Sequence, residues 1–111
     1  MQRRSIGVGR MGPARVSGNY RSGADFERRA KAELVARGAL VVRAAGSKGS
    51  IDLVALWHSG VPGPWLIQCK RDGKLSARAR EELIVLARMY AATAFLCRSG
   101  ARGQPPEFER L

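Results

Sequence analysis

The chain has 111 residues, with 20 Lys and Arg against 9 Asp and Glu, a net charge of +11, and 2 Cys. That length allows one domain, and a charge so far from neutral favours polyanionic partners and speeds their encounter, with nucleic acid first among them. No apolar run approaches the ~20 residues of a spanning helix and the basic residues follow no single amphipathic stripe, which argues against a membrane partner, while the absence of any Cys-x-x-Cys or Cys/His cluster argues against zinc.

Residues 1–21 carry Arg3, Arg4, Arg10, Arg15 and Arg21 without an acid, several glycines and few large apolar side chains. A flexible basic arm is expected there, either reaching along DNA phosphates or dispensable. The first residues lack the apolar run of a secretory signal, so a cytoplasmic protein is expected, with Cys69 and Cys97 reduced and most simply in the core. Residues 22–111 form the folded domain. Ser22 and Asp25 make an S-x-x-D capping pattern and Gly38 is a C-cap signal, which together predict a helix over 24–37. Glu27, Ala30 and Leu34 fall on one stripe of it, with Glu27 in the first turn, where the helix dipole favours an anion.

Density in Val, Leu and Ile predicts short strands over 39–44 and 51–56, separated by a glycine-rich turn at 45–50. Gly60, Pro62, Gly63 and Pro64 mark the next turn. In the strand predicted over 65–70, the two-residue period places Leu66, Gln68 and Lys70 on one face and Trp65, Ile67 and Cys69 on the other. Ser76 caps a second helix running to about residue 91, with Leu83, Leu86, Ala87 and Tyr90 as its core stripe and Arg78, Arg80 and Arg88 outside. A fourth strand is expected over 93–98 and a fifth over 107–111. This order implies an α/β domain, a mixed central β-sheet flanked by helices, without internal repeats.

Asp52, Gln68 and Lys70 interrupt apolar strand-like runs. An ionised group buried there costs several kcal/mol, roughly, unless it is paired or bound to a metal, so such positions point to chemistry. With Glu27 they read as the core of a metal-dependent nuclease site. Each residue also has a plainer reading: Asp52 as a buried acid satisfied by backbone amides, Glu27 paired with Lys31 one helical turn on, Lys70 extending from a strand end to water. The turn at 46–50 lacks the G-x-x-x-x-G-K-[ST] spacing, so no nucleotide cofactor is expected. His58, the only histidine, falls in a predicted turn. Trp57, Trp65, Tyr90 and Phe95 read as core, and Phe26 as either core or base-stacking.

The segments Gly23-x-x-x-Glu27-Arg28, Val41-Val42-Arg43-Ala44-Ala45-Gly46-Ser47-Lys48, Ile51-Asp52-Leu53-Val54-Ala55 and Ile67-Gln68-Cys69-Lys70 together resemble the archaeal-type Holliday junction resolvases, within the restriction-endonuclease-like PD-(D/E)xK superfamily. The likeness spans about residues 21–98 and is most specific from Val41 to Asp52. It implies a restriction-endonuclease-like fold and hydrolysis of phosphodiester bonds in four-way DNA junctions. It further implies Mg²⁺, with Mn²⁺ able to substitute, held by Glu27, Asp52 and Gln68, a catalytic Lys70, and Arg28, Arg43 and Ser47 near the phosphate with Lys48 beside them. The family usually has Glu two residues before the lysine. Gln68 offers an amide oxygen that still suits a hard cation but brings no charge, so weaker metal affinity is expected, with loss of catalysis the competing outcome. Glutamine there is a trait of phage-encoded relatives, so the resemblance implies a bacteriophage enzyme. A junction has two symmetry-related cleavage points and so small a chain carries one site, from which a two-fold homodimer is expected. The rival expectations are another nuclease of this fold acting on branched or damaged DNA, and a non-catalytic DNA-binding module.

Overall fold

The computed structural model describes residues 18–44, 49–58 and 63–111, with side chains from residue 23 onward. Helix α1 (Gly18–Ala36) begins six residues before the start predicted at 24. The stretch from Asn19 to Gly23 contains no proline, and a Ser or Gly inside a helix costs at most about 1 kcal/mol, so Ser22 and Asp25 become interior residues rather than caps. The expected basic arm lies outside the described residues as far as residue 17. The predicted C-terminal stop holds: Gly38 takes φ 102° and its N–H donates to the Val35 carbonyl at 2.9 Å.

Strands β1 (Ala39–Arg43), β2 (Leu53–Trp57), β3 (Trp65–Cys69), β4 (Thr93–Arg98) and β5 (Glu107–Arg110) form one sheet in the order β1-β2-β3-β4-β5. All pairs are antiparallel except β3–β4, which helix α2 (Ala77–Met89) joins by a crossover. The mixed sheet with a helix on each side is the architecture the sequence order implies.

Alternation along the strands sends one set of apolar residues to each helix. On the α1 side, Phe26, Ala30 and Leu34 pack on Val41, Leu53, Ala55, Ile67, Phe95 and Cys97, with Trp65 stacked on Phe95 at 3.8 Å between ring centroids. On the α2 side, Leu83 and Ala87 pack on Leu66 and Ala94. Two expectations change. The buried stripe of α1 starts at Phe26, which repeats with Ala30 and Leu34 every four residues and leaves Glu27 at its rim. Tyr90 is 66% exposed rather than core, because α2 ends at Met89 and Tyr90 is its C-cap, beyond which the helical period no longer applies. Lying over β3 and β4, α2 leaves Leu40, Val42 and Leu56 of β1 and β2 exposed on its side of the sheet.

Leu34 and Leu53 are fully buried against each other's elements, so Leu34→Ala and Leu53→Ala are each expected to cost about 2–5 kcal/mol in urea unfolding. Val35→Ala, on the exposed face of α1, should stay within about 0.5 kcal/mol.

Candidate active site

Asp52 stands one residue before β2 and is bonded to the strands on both sides. Its N–H donates to the Ile67 carbonyl at 2.8 Å, its own carbonyl accepts from the Ala44 N–H at 2.9 Å, and its carboxylate Oδ2 accepts from the Cys69 N–H at 2.8 Å. One carboxylate oxygen is therefore satisfied by backbone, as the plainer reading supposed, while Oδ1 makes no hydrogen bond among the described residues. Burial pushes the Asp52 carboxyl above its ordinary range; the Cys69 N–H pulls it back, the negative charge of Glu27 raises it further, and Lys70 and Arg43 lower it. Those effects place Glu27, Arg43 and Lys70 each within electrostatic reach of Asp52.

Glu27 reaches this point from α1. Its Oε1 accepts from Arg43 Nε at 3.2 Å, joining the helix to the end of β1, so its partner is Arg43 and not Lys31. Glu27, Arg28, Lys31, Arg43, Ala24 and Leu53 line a cleft of about 190 Å³. Arg28 is exposed and pairs with Asp25 on its own helix. Lys31, weighed from sequence only as a helical neighbour of Glu27, thus adds a cation to the cleft.

Gln68 reaches the site differently. The β2–β3 register ends with Leu53 facing Ile67, and the Asp52 N–H bonds to that same Ile67 carbonyl, so Gln68 is the first residue of β3 beyond the pairing. The pleat groups it with Leu66 on the α2 side of the sheet, whereas Glu27 approaches from the α1 side. Gln68 is half-buried and its amide makes no hydrogen bond among the described residues. Lys70 follows immediately after β3, exposed and without an ion pair among the described residues. The structure therefore gathers Glu27, Arg43 and Lys70 around Asp52, while Gln68, grouped with the α2 side of the sheet, makes no hydrogen bond to any of them. Ser47 and Lys48 lie outside the described residues.

Cys69 was read from sequence only as core, yet its backbone N–H anchors Asp52. Its thiol lies in register with Cys97 on β4 and is pushed up by the hydrogen bond to Cys97, by burial, and by the charges of Asp52 and Glu27, which keeps it protonated and unreactive. The signal was positional: the residue between Gln68 and Lys70 turns its backbone, not its side chain, toward the acid.

Among the described residues no three Asp, Glu, Cys or His side chains converge as a metal site, since glutamine occupies 68 and two acids remain. Even so, Glu27 and Asp52 form a like-charged oxygen pair whose repulsion a divalent cation relieves, and the Gln68 amide oxygen is of the same hard donor type. Such an all-oxygen set fits Mg²⁺ or Mn²⁺.

Asp52→Asn keeps an acceptor for the Cys69 N–H and removes the charge. Because the folded-state pKa lies above the unfolded one, ionised Asp52 destabilises the fold; this penalty is complete above the folded pKa, fades as pH falls through it, and is absent below the unfolded value. Calorimetry is expected to show Asp52→Asn melting higher than the parent at neutral pH, with the difference gone by about pH 3, below the ordinary carboxylate range. A lower melting temperature at neutral pH would contradict the charge conflict.

Residues 18–102 of the chain match the family described as archaeal Holliday junction resolvase (Hjc). The 1.6 Å structure of Archaeoglobus fulgidus Hjc, a Holliday junction resolvase from an archaeal hyperthermophile, superposes with a TM-score of 0.64 at 28% sequence identity, over 80% of this chain and 72% of that one. No curated protein matches the sequence. The likeness extends to the fold expected from the sequence, a mixed sheet of restriction-endonuclease-like type. With a family match over most of its length, the chain belongs to the archaeal Holliday junction resolvase family.

Proposed function

We propose that this protein is a metal-dependent, structure-selective endodeoxyribonuclease that cleaves four-way DNA junctions as a homodimer. The observation that carries this reading is the meeting of two carboxylates, Glu27 and Asp52, with Arg43 and Lys70 at one end of the sheet, in a chain of this family.

Phosphodiester hydrolysis asks for a barrier reduction on the order of 20 kcal/mol. Glu27 and Asp52, with the Gln68 amide oxygen, would hold Mg²⁺ or Mn²⁺, which when bound would polarise a phosphoryl oxygen and acidify a bound water. The side chains do the rest. The Cys69 N–H fixes Oδ2 of the Asp52 carboxylate and leaves Oδ1 as the preset metal donor. Lys70 orients the attacking water and offsets negative charge growing on the phosphoryl oxygens. Arg43 spends only Nε on Glu27, which leaves both Nη groups for a bidentate phosphate contact that a lysine cannot make. Arg28, Ser47 and Lys48 extend these contacts along the strand. Contacts of this kind read backbone shape rather than bases.

A second copy of the chain is the natural cover for the apolar surface that α2 leaves open. Leu40, Val42 and Leu56 on the sheet and Val85, Met89 and Tyr90 on and beside α2 are all exposed on that side. On a chain of net charge +11 such a patch is the place where two copies can approach, and two-fold pairing matches two sites to the two cleavage points of a junction. The reduced thiols of Cys69 and Cys97 and the glutamine at 68 suit a phage-encoded enzyme working in host cytoplasm.

One observation favours a second reading. Gln68 removes a charge from the donor set, as it would in a DNA-binding module that has lost catalysis. The test is incubation with an immobile four-way junction, a linear duplex and a single strand, with and without Mg²⁺ or Mn²⁺. Paired incisions in the junction alone, only with metal, are expected. Equal cutting of linear DNA would instead indicate another nuclease of this fold, and tight, salt-sensitive binding without incision would indicate the binding module. Gln68→Glu is expected to keep cutting and to lower the metal concentration for half-maximal rate; complete inactivation by that change would remove Gln68 from the donor set.

A further inference from the structure

Beyond the cleft around Glu27, the segment that follows β3 is rich in cations. Residues 70–82 hold Lys70, Arg71, Lys74, Arg78 and Arg80 against Asp72, Glu81 and Glu82, and the two glutamates stand at its far end, on α2. Lys70, Arg71 and Lys74 are exposed and make no ion pair among the described residues. Asp72 makes no ion pair with them; its Oδ1 accepts from the Lys74 N–H at 3.0 Å.

The turn carrying these cations is held fast. The Lys70 N–H donates to the Cys97 carbonyl at 2.9 Å, the Ser99 N–H to the Arg71 carbonyl at 3.1 Å, and the Gly73 N–H to the Lys70 carbonyl at 2.8 Å. Gly73 takes φ 74°, and a Cβ there would meet Arg98 Cδ at 3.2 Å, so the backbone lies close on β4. Arg98 itself is engaged by Glu107 and Glu109, each at 2.9 Å, and stays with the fold. Fixed backbone lowers the entropy lost when these side chains meet a ligand.

The charge also sits where the fold alone disfavours it. Arg78 and Arg80 open α2, whose first turn contains no acid, and a cation at that end opposes the positive end of the helix dipole. The helix end is already capped by Ser76, whose Oγ accepts from the Ala79 N–H at 3.0 Å, so the cations add nothing to its formation. Arg78 finds only Glu82, at 3.3 Å and largely exposed, a pair of small worth. Local conflicts of this kind mark positions shaped by something outside the folded chain.

Resting on the nuclease reading above, we propose that Arg71 and Lys74 form a second phosphate-binding surface that holds the duplex arm leaving the cleavage site. The occupant is a DNA backbone because these cations stand in the same hydrogen-bonded turn as Lys70, the residue assigned to the scissile phosphate. Its contacts are to phosphates, so it adds affinity without sequence preference.

The test compares Arg71→Gln/Lys74→Gln with a charge-matched control on other elements, Arg29→Gln/Arg110→Gln, both exposed. Binding of the full chain to an immobile four-way junction is followed by fluorescence anisotropy in EDTA across a salt series. The turn pair is expected to lower the slope of log K against log salt by about 1.8 and to weaken binding about tenfold at moderate salt, while the control changes the slope far less. An unchanged slope in the turn pair, or an equal fall in the control, would return these cations to a solvated face and overturn the assignment. If the parent chain cuts no junction and the turn pair still lowers the slope, the nuclease reading falls and this surface stands.

Discussion

The hydrogen bond from the Cys69 N–H to the Asp52 carboxylate is the contact on which the site is built. It ties the residue before β2 to the end of β3 and fixes one oxygen of an acid that burial and Glu27 both disfavour as a charge. Without it the carboxylate would turn to water and the repulsion would relax. With it, the fold holds an anion in place against its own preference, an arrangement characteristic of sites whose missing partner arrives from outside.

Around that acid the positive charges fall into separate roles. Arg43 compensates Glu27 across the gap between α1 and β1, and Lys70 compensates Asp52 from the end of β3. Neither neutralises the pair completely, which leaves room for a divalent cation and for a phosphate beside it. Arg98, by contrast, is consumed by Glu107 and Glu109 and belongs to the sheet edge. A net charge of +11 draws DNA to the whole surface; the arrangement of engaged and unengaged cations decides where it settles.

Much of this was legible in the sequence because the signals were periodic or chemically costly. The alternation in β3 set Gln68 apart from Ile67 and Cys69, and acids and lysines inside apolar runs marked Asp52 and Lys70. What stayed hidden was three-dimensional. The early start of α1 was masked by a capping pattern that neighbouring residues did not need. The one-residue offset that buries Phe26 and leaves Glu27 at the rim depends on how α1 seats on the sheet, and Tyr90 turns outward because α2 stops one residue earlier. The roles of the Cys69 backbone and of Lys31 in the cleft follow from strand register and helix placement, which no local pattern encodes.

The proposed chemistry requires Glu27 and Asp52 to share one divalent cation. Calorimetric titration of Mn²⁺ into the protein without DNA, with Glu27→Gln and Asp52→Asn alongside, measures that sharing. A saturable site is expected in the parent chain, with a loss of affinity of at least about tenfold in each variant. Undiminished Mn²⁺ binding in either variant would show that the two acids do not act on a common ion.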